Sequence, residues 1–524
     1  MADRAFKISP SGALGGAAAA LLVFLTLGTL GAVALRAEGV SALGPSDWAA
    51  VRFTLLQAVL SAALSVALAV PVARALARRR FRGRAALVTL MGAPFILPVI
   101  VAVLGLLAVF GRAGLVSTVL GWAGLAPLSI YGLKGVVLAH VFFNLPLATR
   151  LLLQGWLAIP AERFRLAASL GFGAGDTLRW LERPMLRAVA PGAFLLVFLL
   201  SMTSFAVALT LGGGPRATTV ELAIYQAFRF DFDLAKAALL ALVQFGLGAT
   251  GAVLAFRFAV PSAMGAGLDR VTDRWDAAAP LQRARDGALL ALAALFLLTP
   301  LAMVAVDGAP RLLVLPTVVW WSALRSVVVA LGAAALTLGL ALPLSIWVVR
   351  LGRRRGARLA EGIGYLTIAA SPLVIGTGLF LMIFPLADPF ALALPVTALV
   401  NAAMSLPFAL RALVPELRGI EKSFSPLADS LGMSGWARLR LVVLPRLRRP
   451  LGFAAGLSAA LSMGDLGVIA LFAPPDAATL PLQIYRLMAA YRMADAAGSA
   501  LLLLILSLSL FWVFDRGGRV NADT

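Results

Sequence analysis

Residues 166–171 read LAASLG and residues 427–432 read LADSLG, and these two stretches decide the fold. Each is followed by a proline thirteen residues past its glycine, Pro184 in the first copy and Pro445 in the second. The copies lie 261 residues apart in a chain of 524. A repeat with a period of almost half the chain predicts two tandem structural halves. Both copies fall in polar segments between long apolar runs, so the repeat also points to functional loops.

The composition is that of a membrane protein. Hydrophobic residues make up 61% of the chain, charged residues 13%, and the mean hydropathy is +0.95, whereas a soluble protein has about 25% charged residues. There is no cysteine, one histidine (His140) and no GxxxxGK[ST] phosphate loop. These absences exclude disulfides, thiolate or histidine-cluster metal sites, histidine-based triads and ATP hydrolysis through such a loop. We therefore expect a membrane protein that is not an enzyme and carries no cofactor.

Apolar runs of about 20 residues are long enough to cross the ~30 Å hydrocarbon layer as helices. Such runs predict an all-α membrane protein with about twelve transmembrane helices. The first run also fits a secretory signal, but it exceeds the usual ~7–15-residue signal core, which favours an uncleaved span. The twelve runs are 13–35, 53–73, 86–110, 130–153, 189–212, 237–256, 287–306, 326–349, 362–384, 391–410, 451–472 and 496–514.

Lysine and arginine predict the orientation of these spans. The even-numbered loops hold 30 of them and the odd-numbered loops 11. Because positive residues concentrate on the cytoplasmic side, we expect both termini and the even loops to be cytoplasmic. Three arginines each at 78–80 and 353–355 are interpreted as topology signals that contact lipid headgroups. The net charge of +21 therefore belongs to membrane loops and indicates no nucleic-acid partner.

The repeat divides the chain into a first domain at 1–256, a charged linker at 257–286 and a second domain at 287–524. Each domain holds six spans, an even number, so the two copies should insert in the same direction. This parallel arrangement predicts a pseudo-two-fold axis along the membrane normal, with a pathway between the halves. The segment interpreted as a cytoplasmic linker includes Asp269, Arg270, Asp273 and Arg274.

Each repeat motif is interpreted as a short amphipathic helix, a glycine break and a second helix that re-enters the membrane. The short helices are predicted at about 161–172 and 424–433, because glycines follow and end them. A helix at a fixed distance from a span suits docking in a groove of a cytoplasmic partner. The alternative is a helix that lies on lipid. The short helix occurs at equivalent positions in both halves of the repeat, which favours docking.

The small-residue helix, the glycine and the later proline resemble the cytoplasmic loop of permease subunits in binding-protein-dependent ABC importers. In that family the loop forms the coupling helix, which rests on an ATPase subunit. The family motif begins with glutamate six residues before the glycine, where this chain has Arg165 and Pro426, and Arg183 replaces the usual leucine before the first proline. The residues that the resemblance assigns to ATPase coupling are Ala167, Ala168, Ser169, Leu170, Gly171, Pro184, Ala428, Asp429, Ser430, Leu431, Gly432 and Pro445.

The resemblance covers nearly the whole chain and is strongest to the fused, double-length permeases of ferric iron and thiamine importers. Segments 209–244 and 462–500 look most like the thiamine branch. It implies an inner-membrane permease that imports thiamine, and also its phosphates, with two separate ATP-binding subunits and a periplasmic binding protein. Ferric iron is the alternative substrate. A twelve-span secondary transporter and a channel are the rival classes, but buried acids are few and no segment resembles a selectivity filter.

Asp465 and Ser204 are the candidate pathway residues. Asp465 lies near the middle of the eleventh apolar run, and Ser204 occupies the equivalent place in the first half. An acid at that depth costs about 2.5–3.5 kcal/mol on insertion scales, so it should face protein or water. The negative charge of Asp465 would offset the free-energy cost of desolvating a cationic substrate such as thiamine. The alternative role for Asp465 is to cap a broken helix.

Other polar residues fall into two groups. Gln57, His140, Asn144 and Gln244 lie inside spans, where interhelical hydrogen bonding is the expected use. Residues in the periplasmic fifth and eleventh loops are candidate contacts for the binding protein, and loop packing is the alternative for them. These loop residues are Thr218, Glu221, Tyr225, Thr479 and Tyr485.

Overall fold

The computed structural model describes residues 10–37, 43–92, 94, 96–255, 274–352, 355–368, 370–474 and 476–519. Every regular element in these residues is helical, so the predicted all-α class is confirmed. Residues 257–273 of the predicted linker, which include Asp269, Arg270 and Asp273, lie outside the described residues. So do Arg353 and Arg354 of the second basic run.

The first half consists of long helices joined by short helices and turns. A π-helical turn, Phe24–Gly28, joins the first two helices, and another, Leu178–Glu182, joins the ninth helix to the tenth. The helices are α1 Pro10–Val23, α2 Thr29–Arg36, α3 Pro45–Arg78, α4 Arg84–Leu90, α5 Val99–Phe110, α6 Leu115–Trp122, α7 Leu133–Leu157, α8 Ala161–Ser169, α9 Ala174–Thr177, α10 Arg183–Met202, α11 Phe205–Leu211, α12 Val220–Arg229 and α13 Leu234–Ala255.

The second half repeats much of this order, including a π-helical turn, Leu439–Val443, before its fifth span. A short 3-10 turn, Trp275–Ala277, precedes its first helix. The helices are α14 Pro280–Gly308, α15 Thr317–Leu351, α16 Arg355–Tyr365, α17 Pro372–Ile383, α18 Ala393–Ser430, α19 Gly435–Arg438, α20 Leu444–Met463, α21 Gly467–Phe472, α22 Leu480–Ala489 and α23 Met493–Arg519.

Eleven helical segments among the described residues are long and apolar enough to cross a membrane. Each predicted span except the ninth, at 362–384, overlaps one of them, although the third, at 86–110, also contains a break, between α4 and α5. That segment is not one helix: α16 ends at Tyr365, and α17, with 12 residues, begins at Pro372. The Ser371 hydroxyl accepts a hydrogen bond from the Val374 amide and so caps the start of α17. At 1.5 Å per residue, α17 is about 18 Å long, shorter than the hydrocarbon layer.

The chain packs into two compact units that do not follow the sequence repeat. Unit I comprises Met1–Ala42, Ile224–Gly246 and Arg311–Thr524, and in it α1 packs on α15 and α2 on α17. Unit II comprises Leu43–Ala223 and Leu247–Pro310, and in it α14 packs against α3 and α5. The opening helix of each sequence half therefore packs among helices of the other half.

Small residues allow α1 and α14 to pack closely against helices of the other sequence half. A Cβ atom at Gly15 in α1 would lie 2.4 Å from the Trp347 Cβ atom of α15. In unit II, a Cβ atom at Gly105 in α5 would lie 2.4 Å from the Pro300 carbonyl oxygen of α14. Membrane helices associate through such small-residue contacts, because lipid offers no hydrophobic drive for them to pack.

Candidate coupling and translocation sites

The first repeat motif forms α8 and the turn after it. Gly171 has a φ of +71°, and the Phe172 amide donates to the Ala167 carbonyl oxygen at 3.0 Å. This left-handed turn ends the helix and explains the glycine, since side chains disfavour positive φ. Ala167 is buried, whereas Leu166 and Leu170, one turn apart, are 61% and 63% exposed. Ala168 and Ser169 are exposed as well.

The second motif repeats this turn at the end of α18. Gly432 has a φ of +65°, and the Met433 amide donates to the Ala428 carbonyl oxygen at 2.8 Å. Ala428 is buried, and Leu427 and Leu431 are 58% and 62% exposed. Asp429 and Ser430 are exposed. Both motifs thus present two leucines on one helix face, and the predicted coupling residues include only the second leucine of each pair.

The helices that carry the two motifs differ, and a separate short helix at 424–433 is not what the structure contains. In the first half, α7 ends at Leu157 and α8 begins at Ala161, whereas α18 runs without interruption for 38 residues into the motif. Pro160 explains the first break, because a proline disfavours the helical conformation of the residue before it. Glu421 stands at the equivalent place in the second half.

Pro184 and Pro445 lie in the first turn of α10 and α20, directly after the two π-helical turns. A proline clashes with the carbonyl group four residues earlier, and a π-helical turn is one way in which a helix accommodates it. Each proline therefore marks the start of a regular span. Helical structure nevertheless runs through each proline without a break, from α9 to α10 and from α19 to α20.

Glu182 ties the first motif to the core of unit II. Its carboxylate, with no exposed area, pairs with Arg274 at 2.6 Å and Arg74 at 2.8 Å. The Trp156 indole donates to the same carboxylate at 3.2 Å. Burial alone would lower the pKa of Arg274, but hydrogen bonding to Asp276 and the charge of Glu182 raise it above its usual value.

The end of the predicted linker therefore packs against the first motif. The Arg274 guanidinium lies over the Phe164 ring of α8, with its carbon 4.9 Å from the ring centre. The Trp275 indole donates to the Phe172 carbonyl oxygen at 2.9 Å. Sequence analysis missed this role. The available signal was Glu182 itself, since the second copy has Val443 at the equivalent position.

The second motif has a different and more exposed network. The Arg438 guanidinium donates to Asp429 at 2.9 Å, to Glu421 at 3.1 Å and to the Ser425 hydroxyl. The Glu421 and Asp429 side chains are 48% and 66% exposed. Exposed ion pairs contribute about 0–1 kcal/mol, so this network holds its motif less firmly than the buried one does.

The basic run at 78–80 is more than a topology signal. Arg78 and Arg79 both pair with Asp286 of α14, each with a nitrogen 2.6 Å from a carboxylate oxygen. Asp286 and Arg78 are buried. These pairs join the end of α3 to the start of α14 within unit II.

Both candidate pathway residues lie at breaks in membrane helices. Ser204 separates α10 from α11, and Asp465 separates α20 from α21; both are half-buried. One Asp465 oxygen, Oδ1, accepts the Gly467 amide at 3.2 Å, as expected of a helix cap. The Val468 and Ile469 backbone amides and the Asn401 side chain also stabilise this carboxylate by hydrogen bonding.

Polar side chains cluster just before these breaks. Asn144 donates to the Ser201 hydroxyl at 3.3 Å in unit II, and Asn401 donates to the Ser462 hydroxyl at 3.0 Å in unit I. The same amide–hydroxyl pair thus recurs in both halves. Sequence analysis missed Asn401, although it lies inside a predicted span, as Asn144 does.

The interhelical role expected of other polar residues is present in unit II. Gln57 of α3 donates to the Ser201 carbonyl oxygen at 2.9 Å. The Ser61 hydroxyl and the His140 Nδ1 atom are 3.2 Å apart. Gln244 of α13 is also buried, in a stretch that belongs to unit I. These contacts join α3, α7 and α10 beside the first helix break.

The loop residues predicted to meet the binding protein lie beyond the broken spans. Glu221 is fully buried, and Tyr225 and Thr479 are 8% and 4% exposed. Thr218 and Tyr485 are half-buried. The packing alternative therefore fits the three buried residues in this structure, and Thr218 and Tyr485 are the accessible members of the set.

Tyr225 and Tyr485 share one electrostatic environment in unit I. Burial raises the pKa of Tyr225, although Arg229 and Arg486 act to lower it. Burial also raises the pKa of Tyr485, and Tyr225 adds to that effect. Both hydroxyl groups therefore stay protonated at neutral pH.

Two exposed aromatic residues near these loops were missed in sequence analysis. Phe232, between α12 and α13, has a φ of +52°, and Tyr491, between α22 and α23, has a φ of +57°. They are 74% and 92% exposed. Positive φ costs a residue with a side chain about 1–2 kcal/mol, and such strain clusters at functional sites.

Paired motifs at the ends of membrane helices, each leading into a broken span, define the class of the protein: a permease subunit of an ABC importer. Comparison with known proteins specifies the family. The thiamine transport system permease protein ThiP of Escherichia coli (strain K12) is 44% identical over 490 residues, which cover 91% of this chain and 90% of that protein. The chain belongs to the family of thiamine transport system permease proteins.

Further relatives agree with this placement. ThiP of Brucella abortus (strain 2308) is 40% identical over 521 residues, 97% of this chain and 96% of that protein. ThiP of Haemophilus influenzae is 34% identical over 449 residues, 82% and 81% of the two chains. No family model matches the chain. The protein is thus a multi-pass inner-membrane transport subunit, not an enzyme, and works with ATP-binding and substrate-binding partners.

Proposed function

We propose that this chain forms the translocation pathway through which thiamine, and also its phosphates, enters the cytoplasm. The observation that carries the proposal is similarity to named thiamine permeases along nearly the whole chain. Ferric iron, the alternative substrate, is not favoured by these relatives. The test is uptake of radiolabelled thiamine into proteoliposomes that contain the complete importer. Binding-protein-dependent uptake of iron but not thiamine would overturn the substrate.

In the proposed mechanism, two ATP-binding subunits hold the exposed leucines of the two motifs, and both termini lie in the cytoplasm. ATP binding moves the motifs, and the continuous helices through Pro184 and Pro445 carry that motion into the spans. The pathway then opens toward the binding protein, and hydrolysis resets it. Thiamine uptake by this chain alone under a proton or sodium gradient would contradict the mechanism.

Asp465 is proposed to face the permeant cation, because the break between α20 and α21 places its carboxylate inside a membrane segment, where an acid is costly unless it faces protein groups, water or a cation. Asp465→Asn keeps an oxygen for the cap but removes the charge. We expect thiamine uptake to fall roughly tenfold, the effect of about 1.4 kcal/mol, with normal assembly. Asp388→Asn, at an exposed aspartate that likewise accepts a backbone amide, is the control and should change uptake little. Unchanged uptake by Asp465→Asn would leave Asp465 only its capping role.

Phe232 and Tyr491 are proposed to contact the substrate-binding protein, which would explain why strained aromatic residues remain exposed. Phe232→Gly and Tyr491→Gly relieve the strain and remove the rings. We expect thermal stability equal to or above that of the unaltered protein, with weaker stimulation of ATP hydrolysis by the binding protein. Trp122→Ala, which removes an exposed ring elsewhere, is the control. Full stimulation in both glycine variants would place the docking surface elsewhere.

A further inference from the structure

A cluster of buried polar side chains lies in unit II, beside the break between α10 and α11. None of its members is more than 6% exposed. Polar groups inside a membrane protein are normally satisfied by hydrogen bonds, because the bilayer core holds no water. Within the described residues, only some atoms of this cluster have a partner. The members are Gln57 and Ser61 of α3, His140 and Asn144 of α7, and Ser201 of α10.

A hydrogen bond fixes the orientation of the Gln57 side-chain amide. Its nitrogen, Nε2, donates to the Ser201 carbonyl oxygen at 2.9 Å. The amide oxygen and nitrogen share one carbon atom, so holding the nitrogen also sets the direction of the oxygen. That oxygen, Oε1, accepts no hydrogen bond from any residue that the structure describes. Gln57 therefore presents a buried acceptor of fixed direction.

The His140 ring presents a second atom of this kind. Its Nδ1 atom lies 3.2 Å from the Ser61 hydroxyl oxygen, and Ser61 follows Gln57 by one turn of α3. The Nε2 atom of the same ring has no hydrogen-bond partner in the described part of the chain. In the tautomer in which Ser61 donates to Nδ1, Nε2 carries the ring proton and is a donor. Unpaired buried polar atoms are costly, so a donor and an acceptor left unpaired in one cluster indicate a ligand.

The break at Ser204 gives a way to uncover these atoms. Helix α11 packs on α7, and its last residue, Leu211, accepts the Gly132 amide at the start of α7 at 2.8 Å. The other end of α11 adjoins the break. That end can move away from α7 while Ser201, at the end of α10, keeps its contacts with Gln57 and Asn144. Such a movement opens the cluster and leaves the Gln57 amide held in place.

We propose that Gln57 and His140 determine specificity by binding the aminopyrimidine ring of thiamine, an inference that rests on the proposed function. The exocyclic amine of this ring donates hydrogen bonds, and the adjacent ring nitrogen accepts them. Gln57 Oε1 supplies the matching acceptor and His140 Nε2 the matching donor. A site built to pair with both groups discriminates strongly against a solute that lacks them, because its own polar atoms are then left unpaired.

Oxythiamine is the probe, because it has a carbonyl oxygen in place of the exocyclic amine and a protonated adjacent nitrogen. Its edge thus reverses the pattern and sets an acceptor against Gln57 Oε1. Uptake of radiolabelled thiamine and oxythiamine is compared in proteoliposomes that contain the complete importer and saturating binding protein. We expect a preference for thiamine that falls roughly tenfold in Gln57→Met. Gln154→Met, at a half-buried glutamine of α7, is the matched control and should keep the preference.

Two variants of His140 separate recognition from packing. His140→Asn keeps a hydrogen-bonding atom near the Nδ1 position, and so the contact with Ser61, but has none at the Nε2 position. His140→Gln does the reverse. We expect His140→Gln to retain the preference for thiamine and His140→Asn to lose it. The opposite result would mean that His140 acts only through Ser61, and this pair decides the question if Gln57→Met does not assemble.

The ratio of thiamine to oxythiamine uptake also separates this inference from the proposed function. The binding protein is the same in every sample, so its own selectivity cancels when variants are compared. An equal ratio in the unaltered importer, Gln57→Met and His140→Asn would overturn the inference and leave thiamine import intact, with a bound water molecule as the partner of the two atoms. Absence of thiamine uptake by the unaltered importer would overturn the proposed function and this inference together.

Discussion

Leu431→Asp should leave the chain in the membrane in normal amounts but sharply reduce its binding to the ATPase subunits. Leu431 is 62% exposed on a helix face that it shares with Leu427, so its replacement removes no core contact. A central apolar anchor in an interface is typically worth about 2–4 kcal/mol, and a buried, unpaired carboxylate adds to that cost. We expect the affinity for the ATPase to fall roughly 30- to 1,000-fold.

Leu170→Asp makes the same change in the first motif and should act similarly, and the double variant should abolish transport. Co-purification of the ATPase subunits and binding-protein-stimulated ATP hydrolysis are the measurements. Leu359→Asp, at a leucine in α16 that is 70% exposed, is the control for a surface charge outside both motifs. Normal ATPase recovery with both motif variants would mean that these leucines face lipid, as the interfacial-helix alternative holds.

Glu182→Ala should be the most destabilising single change in the coupling region. It leaves the Arg274 guanidinium, 1% exposed, without one of its two carboxylate partners, and it removes the partner of Arg74. Removing one member of a buried ion pair typically costs about 3–5 kcal/mol. We expect a clear drop in the thermal unfolding midpoint of the purified chain, and loss of ATPase coupling before global unfolding.

Glu162→Ala is the matched control for Glu182→Ala, because Glu162 also pairs with an arginine in this region. Its pair with Arg165 is highly exposed, with 75% and 77% of the side-chain areas accessible. Such pairs contribute about 0–1 kcal/mol, so the midpoint should hardly move. Similar midpoints for the two variants would show that Glu182 is not held as tightly as the short distances indicate.

Much of the fold could be predicted because hydropathy reports directly on helices that must satisfy every backbone group in lipid. The motif glycines were equally readable, since the left-handed turns at Gly171 and Gly432 require that residue. The ninth span was wrong as a single helix because composition does not show that Ser371 and Pro372 start a new helix. The partners of Glu182 and Asp286 were not predictable, because they lie about 90 to 210 residues away in sequence.

The candidate site was only partly predictable for a related reason. Exposure is decided by packing, so Glu221 and Tyr225, polar residues in a loop, were chosen as contacts although both are buried. Phe232 and Tyr491 were missed because the sequence of a short turn does not show that an aromatic residue in it has a positive φ.

Because α18 is one uninterrupted helix of 38 residues, the two motifs are attached to their membrane helices in different ways. At 1.5 Å per residue it is about 57 Å long, and it continues through Pro407, Pro415 and Pro426, each of which removes one backbone hydrogen bond. Helix α8, with 9 residues, is set off from α7 by Pro160 and can swivel at that joint. A displacement at the second motif would thus act directly on one continuous helix, whereas a displacement at the first motif would act on a short helix that is separate from its span.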